Sequence, residues 1–300
     1  MIFLLTVALF AFSAPSFTQD YKVKKVGKAF SHPWGISVFD NDEVLITERG
    51  GNLFKVNIKN GSRLKISNLP EVFNVRQGGL LDVLVDKESV SKRKVYICYS
   101  SKVSGGSSTT LMAGALKEDK LISKKILFKS NNVSESGVHF GCRLAILNDE
   151  IFMSIGDRGN RYEAQDANSH AGSVIRVNKY DGSTREQKAY NSWPAEVYTK
   201  GHRNPQGMAI NSTTNEIWVN EHGPKGGDEI NFNFLDFIED KNFGWPKVSY
   251  GQAYSGEEDL FNTNTFKKTH KELGFIEPFK YYEPSIGCLL YTSPSPRDRG

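Results

Sequence analysis

The sequence predicts an all-β fold on three observations. Aromatic residues reach 12% and glycine numbers 27 in 300 residues, a balance that suits pleated surfaces joined by tight turns. Few windows carry a helical period. Instead one module recurs: a short apolar strand, an Asn/Asp turn, a second apolar strand and a Gly-rich loop.

The first copy runs from Gly35 to Glu48, through Gly50-Gly51, and on to Asn52–Ile58. The second comprises Gly79–Val85, Lys94–Ser100 and Leu111–Leu116. The third is Cys142–Leu147, Glu150–Ile155 and Ser173–Val177, and the fourth Gly207–Ile210, Glu216–Asn220 and Asp228–Phe232. The leading glycines, at 35, 79, 141 and 207, are spaced by 44, 62 and 66 residues. Propeller blades of about 40–45 residues with loop insertions fit this repeat. A sheet of that size cannot bury both faces alone, so such sheets stack around an axis. A β-sandwich would not repeat in sheet-sized modules.

Hydrophobic residues make up 38% of the chain and charged residues 24%, which excludes a disordered chain. The formal charge of +4 is spread out, Lys87–Lys94 reads as a polar loop, and no nucleic-acid footprint is present. Residues 1–18 form an apolar run followed by small residues, read as a secretory signal cleaved between Ser13 and Gln19. The protein is therefore expected in the periplasm or outside the cell, with no membrane span in the mature chain. The cysteines, 98, 142 and 288, are few and odd in number. Cys98 lies in a strand-like run and is expected as a small core residue, with no disulfide.

Polar clusters fall in four loops, 136–143, 156–166, 201–207 and 221–229. In a propeller these gather at one mouth, where loops on a rigid scaffold carry function. Gly201-His-Arg-Asn-Pro-Gln-Gly207 packs mixed polarity between two glycines, and Arg203 offers a donor fork suited to an oxyanion or carboxylate. His139, one hairpin before Asp157, is a candidate base oriented by a carboxylate. On residue types alone, a surface His–Asp pair remains the alternative. The loop Asn220–Glu229 joins acidic side chains to Gly and Pro carbonyls, oxygen donors for a hard cation such as Ca²⁺, without EF-hand spacing. No phosphate-cradling loop, Gly-x-Ser-x-Gly elbow or His-Glu-x-x-His pattern occurs, so the chemistry points to a bound cofactor.

Taken in order, the motifs resemble the soluble PQQ-dependent glucose and aldose sugar dehydrogenases. They are His32–Gly35, Thr47–Gly51, Gln77–Leu81, His139–Arg143, Gly156-Asp157, Gly201–Gly207, Glu221–Pro224, Gly227–Asn231, Asn242–Pro246 and Glu283–Ile286. The resemblance implies a six-bladed propeller, of which about four blades are present, over residues 19–287. It implies oxidation of aldose C1 to a lactone, with hydride passing to pyrroloquinoline quinone (PQQ) and electrons passing on to a quinone or small redox protein. By the same resemblance His139 is the general base, Asp157 its orienting partner and Arg203 the stabiliser of the developing oxyanion. Gln77, Arg203 and Asn204 would contact PQQ. The carbonyls of Gly223 and Pro224 would bind a catalytic Ca²⁺, and Glu229 with the backbone near Phe243 a structural one. The family often has Tyr at 243, but Phe keeps the backbone oxygen. A non-catalytic binding propeller and a Ca²⁺-dependent lactonase propeller are the alternatives.

Beyond Gly287 the text changes. Cys288–Asp298 reads as the translation of a transposase library adapter, so residues 288–300 are expected to be non-native and the ring incomplete. The cationic residues that hold the PQQ carboxylates in the family lie beyond this point, so this 300-residue chain is expected to bind PQQ weakly.

Overall fold

A computed structural model describes residues 22–89, 93–184, 193–235, 241–252, 254 and 269–287. The expected signal, 1–18, and the adapter-like tail, 288–300, lie outside the described residues.

The fold is a β-propeller arrangement of four antiparallel four-stranded sheets in chain order. The first holds β1 (Pro33–Asp40), β2 (Glu43–Glu48), β3 (Asn52–Asn57) and β4 (Arg63–Ile66). The second holds β5 (Leu80–Val85), β6 (Lys94–Val103), β7 (Gly106–Lys117) and β8 (Lys120–Lys129). The third holds β9 (Leu144–Leu147), β10 (Glu150–Ile155), β11 (Ser173–Asn178) and β12 (Val197–Lys200). The fourth holds β13 (Pro205–Asn211), β14 (Glu216–Glu221), β15 (Asp228–Phe234) and β16 (Lys280–Tyr282). The four modules of the sequence are these four sheets. Each outermost strand, β4, β8, β12 and β16, escaped the sequence reading. β8, Lys-Leu-Ile-Ser-Lys-Lys-Ile-Leu-Phe-Lys, is exposed along most of its middle and carries no clean alternation.

The core lies between sheets. One cluster joins Leu45, Leu53 and Ile66 of the first sheet to Leu80, Val83 and Ile97 of the second. The next joins Tyr96 and Leu111 to Ile151, Met153 and Ile175 of the third. Phe152 and Val174 pack on Ile217 and Val219 of the fourth. Ile151 and Met153 thus face one neighbour and Phe152 the other, the period-2 alternation of a strand buried on both faces. Ile36 and Val38 on the first sheet, and Phe234 and Phe279 on the fourth, are exposed apolar side chains on faces that no described sheet covers.

Strands β1, β5, β9 and β13 line the axis, each in contact with the next. There Arg143 ties the sheets together. Its guanidinium donates to Asp82 Oδ1 of the second sheet at 2.9 Å and to the Gln206 carbonyl of the fourth at 2.9 Å. It also lies over the Trp34 ring of the first, 4.4 Å from the centroid. Asp82 in turn accepts from the Leu144 N–H at 2.9 Å.

The cysteine expectation is overturned. Cys98 on β6 and Cys142, just before β9, form a disulfide with 5.6 Å between their Cα atoms. Both are fully buried. The bond welds the second sheet to the loop that carries His139, a juxtaposition made by the stacking of two blades and invisible in the local pattern.

Candidate functional site

The four polar loops meet at one end of the sheets, two of them leading into the innermost strands β9 and β13 and two joining β10 to β11 and β14 to β15. His139 lies between β8 and β9, Asp157 after β10, Arg203 and Asn204 between β12 and β13, and His222, Gly223 and Pro224 between β14 and β15. Gln77, just before β5, closes the group from the second sheet.

His139 Nδ1 and Asp157 Oδ1 are 2.7 Å apart. Asp157 is 2% exposed at its side chain and His139 17%, so the pair is inside but its imidazole still reaches the mouth. The His139 N–H donates to Gln77 Oε1 at 2.8 Å. Its backbone is left-handed, with φ of 49°, a costly state for a residue with a Cβ that persists only when the surroundings impose it. Those surroundings are on both sides. Arg158 donates to the Val138 carbonyl at 3.0 Å and lies over the Phe140 ring at 3.7 Å. The Gly141 N–H donates to Asn204 Oδ1 at 3.3 Å, and the Cys142 N–H to the Ser154 carbonyl at 2.7 Å. A Cβ at Gly156 would sit 2.2 Å from the His139 carbonyl oxygen, so only glycine lets the two loops approach.

The Arg203 backbone is held from two directions. Its N–H donates to Glu221 Oε2 at 2.5 Å, and its carbonyl accepts from the Asp157 N–H at 2.8 Å. Its Nη1 donates to the His222 carbonyl at 3.2 Å. Among the described residues no carboxylate pairs with this guanidinium, and the residue as a whole is 9% exposed beside the base. An unpaired, nearly buried cation fork is suited to an incoming oxyanion.

Burial holds the His139 imidazole below its usual range, and the nearby Arg203 charge adds to this against the raising influence of Asp157. Burial alone would raise Asp157, but His139 and the Arg203 charge outweigh it and lower that carboxyl. The pair is therefore a neutral imidazole on a carboxylate, with Nδ1–H donating and Nε2 left to accept. A depressed histidine contributes stability that is present above about 6.5, its unfolded value, and lost as pH falls through the lower folded value. In the quinone-free protein the His139 ring should titrate below pH 6.5 by nuclear magnetic resonance, and Asp157→Asn should push the midpoint lower still. A midpoint above 6.5 would contradict this environment.

The acidic loop is less compact. Glu229, on β15, is buried beside Glu221; burial and then the Glu221 charge push its carboxyl well above the usual range. Asn231 Nδ2 bridges the two, 3.0 Å from Glu221 Oε1 and 3.3 Å from Glu229 Oε2. Asn231 Oδ1 is buried with no hydrogen-bond partner among the described residues. Phe243 stacks on His202 at 4.8 Å, and His202 Nδ1 lies 2.7 Å from Glu221. The Pro224 carbonyl accepts from Tyr254 Oη, and Gly223 N donates to Asp228 Oδ1 at 3.1 Å. Burial raises Asp228, but hydrogen bonds from His222, Ser285 and Gly287 win and hold it at about 2. Among the described residues no three His, Cys, Asp or Glu side chains converge as metal ligands, so any cation here would lean on backbone carbonyls.

Sequence reasoning did not find Arg158, His202, Asn231 or Trp245 as parts of the site. Arg158 sat beside Asp157 and Trp245 inside a quoted motif, but their contacts cross blades and leave no local signal.

Residues 30–294 match the Glucose / Sorbosone dehydrogenase family, a span that includes 288–294 of the stretch read as adapter-like. The chain is 35% identical to the aldose sugar dehydrogenase YliI of Escherichia coli over 233 residues, 75% of this chain and 62% of that protein. It is 28% identical to the quinoprotein glucose dehydrogenase B of Acinetobacter calcoaceticus over 288 residues, 84% of this chain and 57% of that protein. The chain thus spans less than two thirds of either relative. Among solved structures, a glucose dehydrogenase crystal structure superposes with a TM-score of 0.76 at 31% identity, covering 86% of this chain and 74% of that one.

Proposed function

The chain belongs to the glucose/sorbosone dehydrogenase family, and from that membership we propose that it oxidises aldose sugars at C1 to lactones, with PQQ and Ca²⁺ as cofactors and a quinone or small redox protein as electron acceptor. The observation that carries the reading is the His139–Asp157 pair beside the Arg203 guanidinium, which pairs with no carboxylate among the described residues. Two relatives bear the names aldose sugar dehydrogenase and quinoprotein glucose dehydrogenase. The buried disulfide favours an oxidising compartment, the periplasm or the exterior.

The residues present fit both groups. Arg203, Asn204 and Gln77, whose loops meet the His139 segment, would hold PQQ. The buried Glu221–Glu229 pair and the orphaned Asn231 oxygen suit a hard, oxygen-seeking cation. Glu229 and the Phe243 backbone would hold that structural ion, and the Gly223 and Pro224 carbonyls the catalytic one. Bound PQQ would supply the two-electron acceptor for the sugar's hydride and Ca²⁺ its polarisation. His139 Nε2 takes the proton of the C1 hydroxyl. Asp157 keeps Nδ1 protonated and steadies the imidazolium that forms. Arg203 stabilises negative charge building opposite the base, and the buried pair excludes bulk water from the proton's path.

Protein from the complete reading frame, loaded with PQQ and Ca²⁺, should reduce a dye with glucose and not without PQQ. Dye reduction without PQQ, or lactone hydrolysis without it, would replace this reading with another.

A further inference from the structure

The His139 pair uses only one oxygen of Asp157. Oδ1 accepts from His139 Nδ1 at 2.7 Å and from the Gly159 N–H at 2.8 Å. Oδ2 accepts from Trp245 Nε1 at 2.8 Å. That indole arrives from 88 residues away in sequence, in the segment after β15, and is 6% exposed.

Trp245 is held as firmly as it holds. Its backbone N–H donates to the Gly201 carbonyl at 2.9 Å, and its carbonyl accepts from Gln165 Nε2 at 2.7 Å. Gln165 also exchanges amide hydrogen bonds with Asn242, at 2.9 and 3.0 Å. A Cβ at Gly201, where φ is 78°, would fall 2.3 Å from Asn242 Oδ1, so the two loops touch at a glycine. The indole ring lies 5.6 Å from the Arg203 guanidinium carbon.

A carboxylate held through one oxygen can still turn about its broad terminal torsion. Donors on both oxygens fix its plane. Arranged so, Asp157 offers His139 a single acceptor direction, and the imidazole edge bearing Nε2 is aimed at the mouth. We propose that Trp245 is a positioning residue: its indole N–H locks Asp157 so that His139 meets the sugar hydroxyl in one orientation. The proposal rests on the sugar-oxidising reading for its kinetic consequence, but not for the contact itself.

Trp245→Phe keeps an aromatic ring beside Arg203 and removes the donor, together with part of the indole's volume. In PQQ-loaded protein kcat should fall between about 10- and 100-fold, the range seen when an outer hydrogen-bond partner of an active-site group is lost, with KM for the sugar within about twofold, since uniform binding is untouched. Spectroscopy tests the contact in quinone-free protein and does not depend on Trp245→Phe folding. The Trp245 indole resonance should move on Asp157→Asn while those of Trp34 and Trp218 stay. Movement in the absence of any dye-reducing activity would sink the sugar-oxidising reading and support the contact. An indole resonance indifferent to Asp157→Asn, or a Trp245→Phe protein with undiminished kcat, overturns the proposal.

Discussion

His139→Gln should lower turnover by about 10²–10⁴, the contribution of a positioned general base, with PQQ still bound. Glutamine presents an amide of similar reach that cannot take a proton. The substitution spares the backbone contact that seats the loop, because the donor to Gln77 Oε1 is the residue 139 N–H and not its ring. It also leaves Asp157 anchored by the Gly159 N–H and the Trp245 indole, so the carboxylate is not stranded without donors. The loss should therefore appear in kcat and not in the affinity for quinone, measured separately by titrating the cofactor's absorbance. Arg203 and the bound cofactor would still act in the variant, so residual activity above background is expected. Turnover equal to the unsubstituted protein's would sink the assignment of His139 as base, and with it the role given to Asp157.

What the sequence made legible followed from periodicity and from density of polar residues. Val44, Leu45 and Ile46, or Ile151 to Ile155, read as strands because buried sheets are apolar on both faces. The outermost strands did not, since β8 and β4 interleave lysine, arginine and apolar residues over an edge that faces water on much of its length. The polar loops were visible as clusters, and their gathering at one mouth followed from the propeller geometry. The pairs within the mouth did not follow. Gln77 meets His139 across 62 residues and Asp157 meets Trp245 across 88; a motif on one blade carries no information about which motif faces it. Glu229 was singled out as a ligand, but its buried neighbour Glu221 and the Asn231 bridge emerged only once β14 and β15 were paired, with Glu221 opposite Glu229.

The disulfide is the sharpest case of a contact hidden this way, and it carries the second large effect. Replacing both Cys98 and Cys142 by alanine should destabilise the protein by about 4 kcal/mol, the loop-closure value for a bond of this span, here a separation of 44 residues. Alanine fits the site better than serine, because both sulfurs are fully buried and a hydroxyl there would go unpaired. For a domain of this size the thermal midpoint should drop by roughly 8–16 °C. Reductant added to folded protein should act slowly, since it must wait for an opening that exposes the bond, and quickly near the transition. The bond also has a local consequence. Cys142 is left-handed, with φ of 71°, and stands three positions after His139, so it pins one end of the segment whose strained backbone presents the base. The double variant should thus lose activity at temperatures where most molecules remain folded, with an inactivation midpoint below the unfolding midpoint. A thermal midpoint within about 2 °C of the unsubstituted protein's, with reductant and without, would show that the two blades hold the loop unaided and that the bond contributes nothing to stability.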